Sequence, residues 1–178
     1  MDKTDKTIIL DNILTRTSDR SFIPDKEIDN DYIQEILHAA MAAPSGVNRQ
    51  PWHFFVVTDR QKLESIAASL PYCHMAASAS MAIVVCGDSD RFLSGTDSTL
   101  WVQDVSASSE NILLASHALG LGAVWTALYP HQDRMEIVGK ILSIPARYVP
   151  FNVIPVGYIA RSHSPIDKWN PENVTFVE

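Results

Sequence analysis

Two short segments carry side chains whose types and spacing suit a ligand. Arg16-Thr17-Ser18-Asp19-Arg20 sets two guanidiniums and two hydroxyls within five residues. Arginine forks and hydroxyl donors suit a phosphate, which presents several charged acceptors. The same run also reads as a solvated turn. The second segment, from Pro44 to Trp52, is bracketed by Pro44 and Pro51 and holds Gly46 and Asn48, residue types that tolerate positive φ. Its amide side chains could meet a planar polar ligand. It joins a predicted helix to a predicted strand, where pockets of layered folds commonly sit, and it also reads as a structured connection.

Other chemistries find little support. The sequence has no Gly-x-Gly-x-x-Gly, no Walker loop, no His-Glu-x-x-His and no Gly-x-Ser-x-Gly around Ser45. Its six histidines are scattered, so no metal site is expected. Asp104 and Glu110 lack the spacing of a helical i, i+4 pair, and paired-carboxylate chemistry is unsupported. Cys73 and Cys86 form neither a redox pair nor a zinc spacing and read as structural thiols.

The elements that must position these segments follow from periodicity. Apolar residues at Ile8, Ile9, Leu10, Ile13 and Leu14 predict a helix ending at Thr15-Arg16. Ile33, Ile36, Leu37, Ala40 and Met41 predict a second over 32–43, capped by an acid or amide at 29–31 and stopped by Pro44. Residues 54–58 read as a strand, and Asp59 caps a helix over 61–70. Residues 76–79 read as helical, and 82–86 as a buried strand. The Ala/Ser-rich stretch 101–119 is the longest helix candidate, and its small side chains place it centrally. Gly120 is its left-handed cap, with Leu121 folding back. Strands three and four are expected at 123–126 and 152–158. Helices and strands interleave, giving an α/β or α+β sandwich with a small sheet.

The chain has 178 residues, 46% of them hydrophobic and 20% charged, with a net charge of −7. This is the composition of one folded domain over 1–178, and its acidity argues against nucleic acid or an anionic membrane as partner. No apolar run approaches the roughly 20 residues of a membrane span, and the start lacks a signal peptide's apolar stretch. A cytoplasmic location is the expectation. From about residue 163 to 178 the sequence reads as an arm, in which Val174 and Phe176 alternate like a strand. That strand could join a partner's sheet or pack on its own domain.

These residues resemble a known family. Arg16-Thr17-Ser18-Asp19-Arg20 is similar to the arginine–serine–arginine phosphate motif of the nitroreductase family of flavoproteins, and the run from Ala43 to Trp52 resembles its most recognisable loop. Trp101-Val102-Gln103-Asp104 with the run from Glu110 to Ala115, then the run from Gly120 to Thr126, then Pro155-Val156-Gly157-Tyr158, follow in family order. The Asp167-Lys168-Trp169 ending resembles the shorter, single-domain members. The resemblance implies an α+β fold, a three-layer α/β/α sandwich with a mixed, mainly antiparallel sheet and a C-terminal strand exchanged with the partner. It also implies an obligate homodimer with FMN at the subunit interface. Electrons would pass from NADH or NADPH to FMN and on to a small-molecule acceptor, a nitroaromatic or quinone, in ping-pong fashion.

Carried over residue by residue, Arg16, Thr17, Ser18 and Arg20 would hold the FMN phosphate and the polar edge of the ring, with Arg20 nearest N1 and O2. Pro44, Ser45, Gly46 and Asn48 would reach the ring from the other subunit. The backbone amides of Ala127 and Leu128 would face N5 and O4, Lys168 would meet the phosphate, and Gln103 would stand in the pocket wall. No side chain is implied as catalytic, because the flavin performs the redox chemistry. Two departures stand out. Thr17 stands where an arginine is common, and Ala127 where the short members often have glycine; a positive φ there would cost the methyl about 1 kcal/mol. A non-catalytic flavin carrier or sensor is the alternative function.

Overall fold

A computed structural model describes residues 3–178, with side chains from Thr7 onward. Its centre is β2 (Met81–Asp88), whose eight residues are all buried. β2 pairs antiparallel with β1 (Trp52–Val57) on one side and β5 (Tyr148–Gly157) on the other. The short strands β3 (Gly122–Ala123) and β4 (Thr126–Ala127) both pair with β5, again antiparallel, so the order is β1-β2-β5-β3 with β4 beside β3 on the same strand.

Alternation along β2 divides the interior into two cores. Ile83 and Val85 face the layer of α2 (Asn30–Met41) and α4 (Trp101–Ala118), packing with Ile36, Val105 and Ile112. Ala82, Val84 and Cys86 face α3 (Arg60–Ser69) and α5 (Gln132–Leu142), with Leu63, Ile66 and Val138. The result is the expected α+β sandwich of three layers. Among the described residues every strand pairing is antiparallel.

The local signals account for most element ends. Asp29 and Asp59 cap α2 and α3, accepting from the Asp31 and Lys62 amides at 3.1 and 2.9 Å. α4 ends in a Schellman turn. Gly120 has φ +73, its N–H donates to His117 O, and the Leu121 N–H donates to Ser116 O while the Leu121 side chain is buried. α1 (Lys3–Thr15) begins before the apolar run that signalled it. Residues 76–78 lie in a 3-10 turn, His74–Ser78, and Ala79 is its extended C-cap. The third strand is two two-residue pieces, β5 starts at Tyr148, and α5 stands where no element was expected.

The arm is exposed from residue 161 to 178 and holds no strand, only one 3-10 turn at Pro171–Asn173. None of its residues is buried against its own domain. Phe176 and Val177 are 87% and 93% exposed.

Candidate functional site

The first site segment leaves the end of α1, which is fastened to α4: Asn12 Nδ2 donates to Leu114 O at 3.2 Å, and Thr15 Oγ1 lies 2.9 Å from His117 Nε2. Four residues after α1, the Asp19 N–H donates to Ala123 O of β3 at 3.1 Å, and Asp19 itself is only 2% exposed. The approach is close enough that a Cβ on Gly122 would lie 2.8 Å from both Asp19 Cβ and Ile159 Cγ1. Glycine at 122 is therefore set by this contact.

Within the segment, Thr17 Oγ1 donates to the Asp19 carboxylate at 3.2 and 3.3 Å. Arg16 pairs through Nε with Glu110 at 3.4 Å and donates from Nη1 to Thr17 O. Arg20 donates one hydrogen bond to Ser18 O. Next in the chain, Phe22 forms an antiparallel bridge with Ile159, and the Ala160 N–H donates to Ser21 O at 2.9 Å. That bridge draws the start of the C-terminal arm alongside the motif.

Between them lies a cleft of about 1150 Å³. Arg16, Thr17, Ser18 and Arg20 line one wall, and Lys168 lines the other. The sequence reading missed His163, Asp167 and Trp169, which share Lys168's wall. Asp167 Oδ1 accepts the Trp169 N–H at 2.9 Å, shaping the turn that presents Lys168. Among the described residues, Arg20 and Lys168 have no acidic partner. Unpaired cations beside a free hydroxyl suit a doubly charged, multi-acceptor group such as phosphate.

The second segment is a hydrogen-bonded loop elsewhere on the surface. Asp104, buried in the first turn of α4, accepts the Gly46 N–H at 2.9 Å, and Ser45 Oγ accepts the Gln50 N–H at 2.9 Å. Arg91 Nη1 donates to Gln50 O, and Arg49 Nε to Arg91 O. Of the two residues expected to tolerate positive φ, Asn48 takes it, at 54°, and Gly46 does not; Val47 and Gln50 take it as well, each at 51°. Left-handed backbone is uncommon for a β-branched residue such as Val47, and strain of this kind gathers at ligand and partner sites.

Pro44, Ser45, Gly46 and Asn48 do not line the cleft, and neither do Gln103, Ala127 and Leu128. Gln103 is exposed on α4, and Ala127 is exposed at the end of the sheet. Leu128 is buried and its N–H already donates to Phe151 O at 3.0 Å. Ala127 takes no positive φ, so its methyl costs nothing on that account.

Elsewhere, burial raises the Cys73 thiol to about 11 and the Cys86 thiol to about 12, which fits structural rather than reactive cysteines. Among the described residues no group of three His, Cys, Asp or Glu side chains could hold a metal. No described helix is long and apolar enough to cross a membrane.

Comparison with known proteins bears on this arrangement. The Nitroreductase family model matches residues 13–80 and 67–158. A protein of Methanothermobacter thermautotrophicus, named as a candidate NADH dehydrogenase/NAD(P)H nitroreductase, is 45% identical over 173 residues, spanning 97% of this chain and 88% of its own. The crystal structure of a protein of the same name from Bacteroides thetaiotaomicron is 46% identical, with a TM-score of 0.88 over 95% of this chain and 96% of that one. A candidate nitroreductase of Desulfovibrio desulfuricans, crystallised in complex with FMN, is 28% identical, with a TM-score of 0.78 over 96% of each chain.

Proposed function

We propose, from the premise that this chain belongs to the nitroreductase family, that it is an FMN-dependent oxidoreductase. It takes electrons from NADH or NADPH and passes them by ping-pong to a nitroaromatic, a quinone or a similar small acceptor, in the cytoplasm. The observation that carries this reading is the convergence of Arg20, Lys168 and the Ser18 hydroxyl on one cleft, without a carboxylate partner for either cation. This donor set fits the phosphate of FMN. When bound, FMN supplies the hydride- and electron-transfer chemistry. The protein's own task is to hold and orient. Arg16, Ser18, Arg20 and Lys168 grip the phosphate and the polar edge of the ring, and Asp19 fixes the motif to β3.

The rest of the site comes from a second copy of the chain. Pro44, Ser45, Gly46 and Asn48 stand outside the cleft of their own subunit and serve the partner's flavin, and the arm adds a strand to the partner's sheet. Ile8, Ile9, Leu10, Ile13 and Leu14 of α1 are at least 49% exposed, which supports an apolar interface. The absorption spectrum of the purified protein tests the cofactor. Oxidised-flavin peaks are expected, and they should bleach anaerobically with NADH or NADPH. A colourless protein that takes up no added FMN would overturn the reading. Bound flavin that neither nucleotide reduces would leave a flavin carrier instead of an enzyme.

A further inference from the structure

The two walls of the cleft differ in what they have left to give. On the α1 side Thr17 has committed its hydroxyl proton to Asp19, and Arg16 divides its guanidinium between Glu110 and Thr17 O. Arg20 keeps one nitrogen on Ser18 O. On the other side Lys168 is free of acids, but Asp167 stands next to it in the same wall. A phosphate monoester brings a charge of about −1.5 to −2 at neutral pH and three strong acceptor oxygens. The open donors of Ser18, Arg20 and Lys168 face that load with an opposing carboxylate beside them.

His163 is placed to make up the difference. It lines the cleft, and among the described residues its ring has no hydrogen bond or ion pair. The antiparallel bridge between Phe22 and Ile159 aligns the two walls, and His163 is as far along the chain from Ile159 as Ser18 is from Phe22. Both residues line the cleft, one from each of the two segments that this bridge joins. An imidazole offers a ring N–H in either neutral tautomer and two when charged. We propose that His163 is a phosphate-binding residue of this cleft, donating to a phosphate oxygen across from Ser18 and Arg20 and replacing the donor that Thr17 has lost to Asp19. The inference rests on the flavin reading above.

Titration of the purified protein with FMN and with riboflavin, which lacks only the phosphate, tests it. His163→Ala should bind FMN roughly tenfold or more weakly, the usual loss for a hydrogen bond to a charged group, with riboflavin affinity unchanged. His163→Gln, which keeps an N–H donor, should recover part of the loss. Unchanged FMN affinity in His163→Ala, or equal losses for both ligands, would overturn the role of His163 while leaving the flavin site standing. Wild-type protein that binds neither ligand would instead overturn the flavin reading and this proposal with it.

Discussion

The five residues after α1 do unequal work, and the differences follow from what each side chain already holds. Asp19 and Thr17 are structural: one is buried against Gly122, and the other is bonded to it. Arg16 is shared with Glu110, whereas Arg20 keeps most of its fork open to the cleft. Arg20→Ala should therefore weaken FMN binding by roughly ten- to hundredfold, the range of a contact between a cation and phosphate. Flavin titration checks this, and an unchanged affinity would mean that Arg20 does not reach the phosphate. Gly122→Ala probes the same turn from beneath. The added methyl must displace Asp19 or Ile159, neither of which offers a flexible far end at the contact. Overpacking of this sort costs about 1–3 kcal/mol, so thermal unfolding should shift downward and FMN affinity should fall with it. A variant as stable as the parent would show that the turn yields easily.

At the scale of elements, what the sequence revealed depended on how local each signal was. Caps and periodicity placed α2, α3 and α4, because Asp29, Asp59 and Gly120 act within one turn of their own helix. α5 escaped notice. Its apolar residues, Met135, Ile137, Val138 and Ile141, are interspersed with Asp133, Arg134, Glu136 and Lys140, and His131 gives no side-chain cap. β3 and β4 are too short for any alternation to show, since their pairing is dictated by β5. The cleft was half legible. Its α1 wall lies in one contiguous motif, but His163 joins it only through the Phe22–Ile159 bridge, a contact no local pattern encodes. The small residues of α4 also have a use inside the chain. Ser108, Ser109 and Ser116 are buried, and Ser109 accepts from Asn152 of β5 at 2.8 Å. The cap of α4 can be tested without touching any side-chain contact, because a Cβ on Gly120 would meet nothing within 4 Å. Gly120→Ala then carries only the left-handed backbone penalty, about 1–2 kcal/mol. Chemical denaturation should show that loss with flavin affinity nearly unchanged, and no loss would mean that the Schellman turn relaxes freely.

For the whole molecule, the deciding question is what covers the surfaces that one chain leaves bare. The arm beyond residue 161 is exposed throughout and the apolar residues of α1 face outward. A chain that displays Trp169, Phe176 and Val177 in this way gains nothing from them alone. In a homodimer that exchanges arms, they add to an interface of more than about 2,000 Å², the size of obligate assemblies. In the proposed homodimer each 44–50 loop would also reach the flavin of the other subunit. Deleting residues from Asn170 onward, while keeping Lys168 and the Trp169 N–H that shapes its turn, separates the two roles of the arm. Since those residues are exposed in the single chain, any fall in unfolding temperature must come from loss of the partner. The full-length protein should sediment as a dimer, and its melting temperature should rise with protein concentration, because association stabilises by mass action. The truncated protein should dissociate at higher concentration, melt lower and release FMN on dilution. A truncated protein that stays dimeric and retains its flavin to the same dilution as the parent would show that the arm serves neither the interface nor the cofactor.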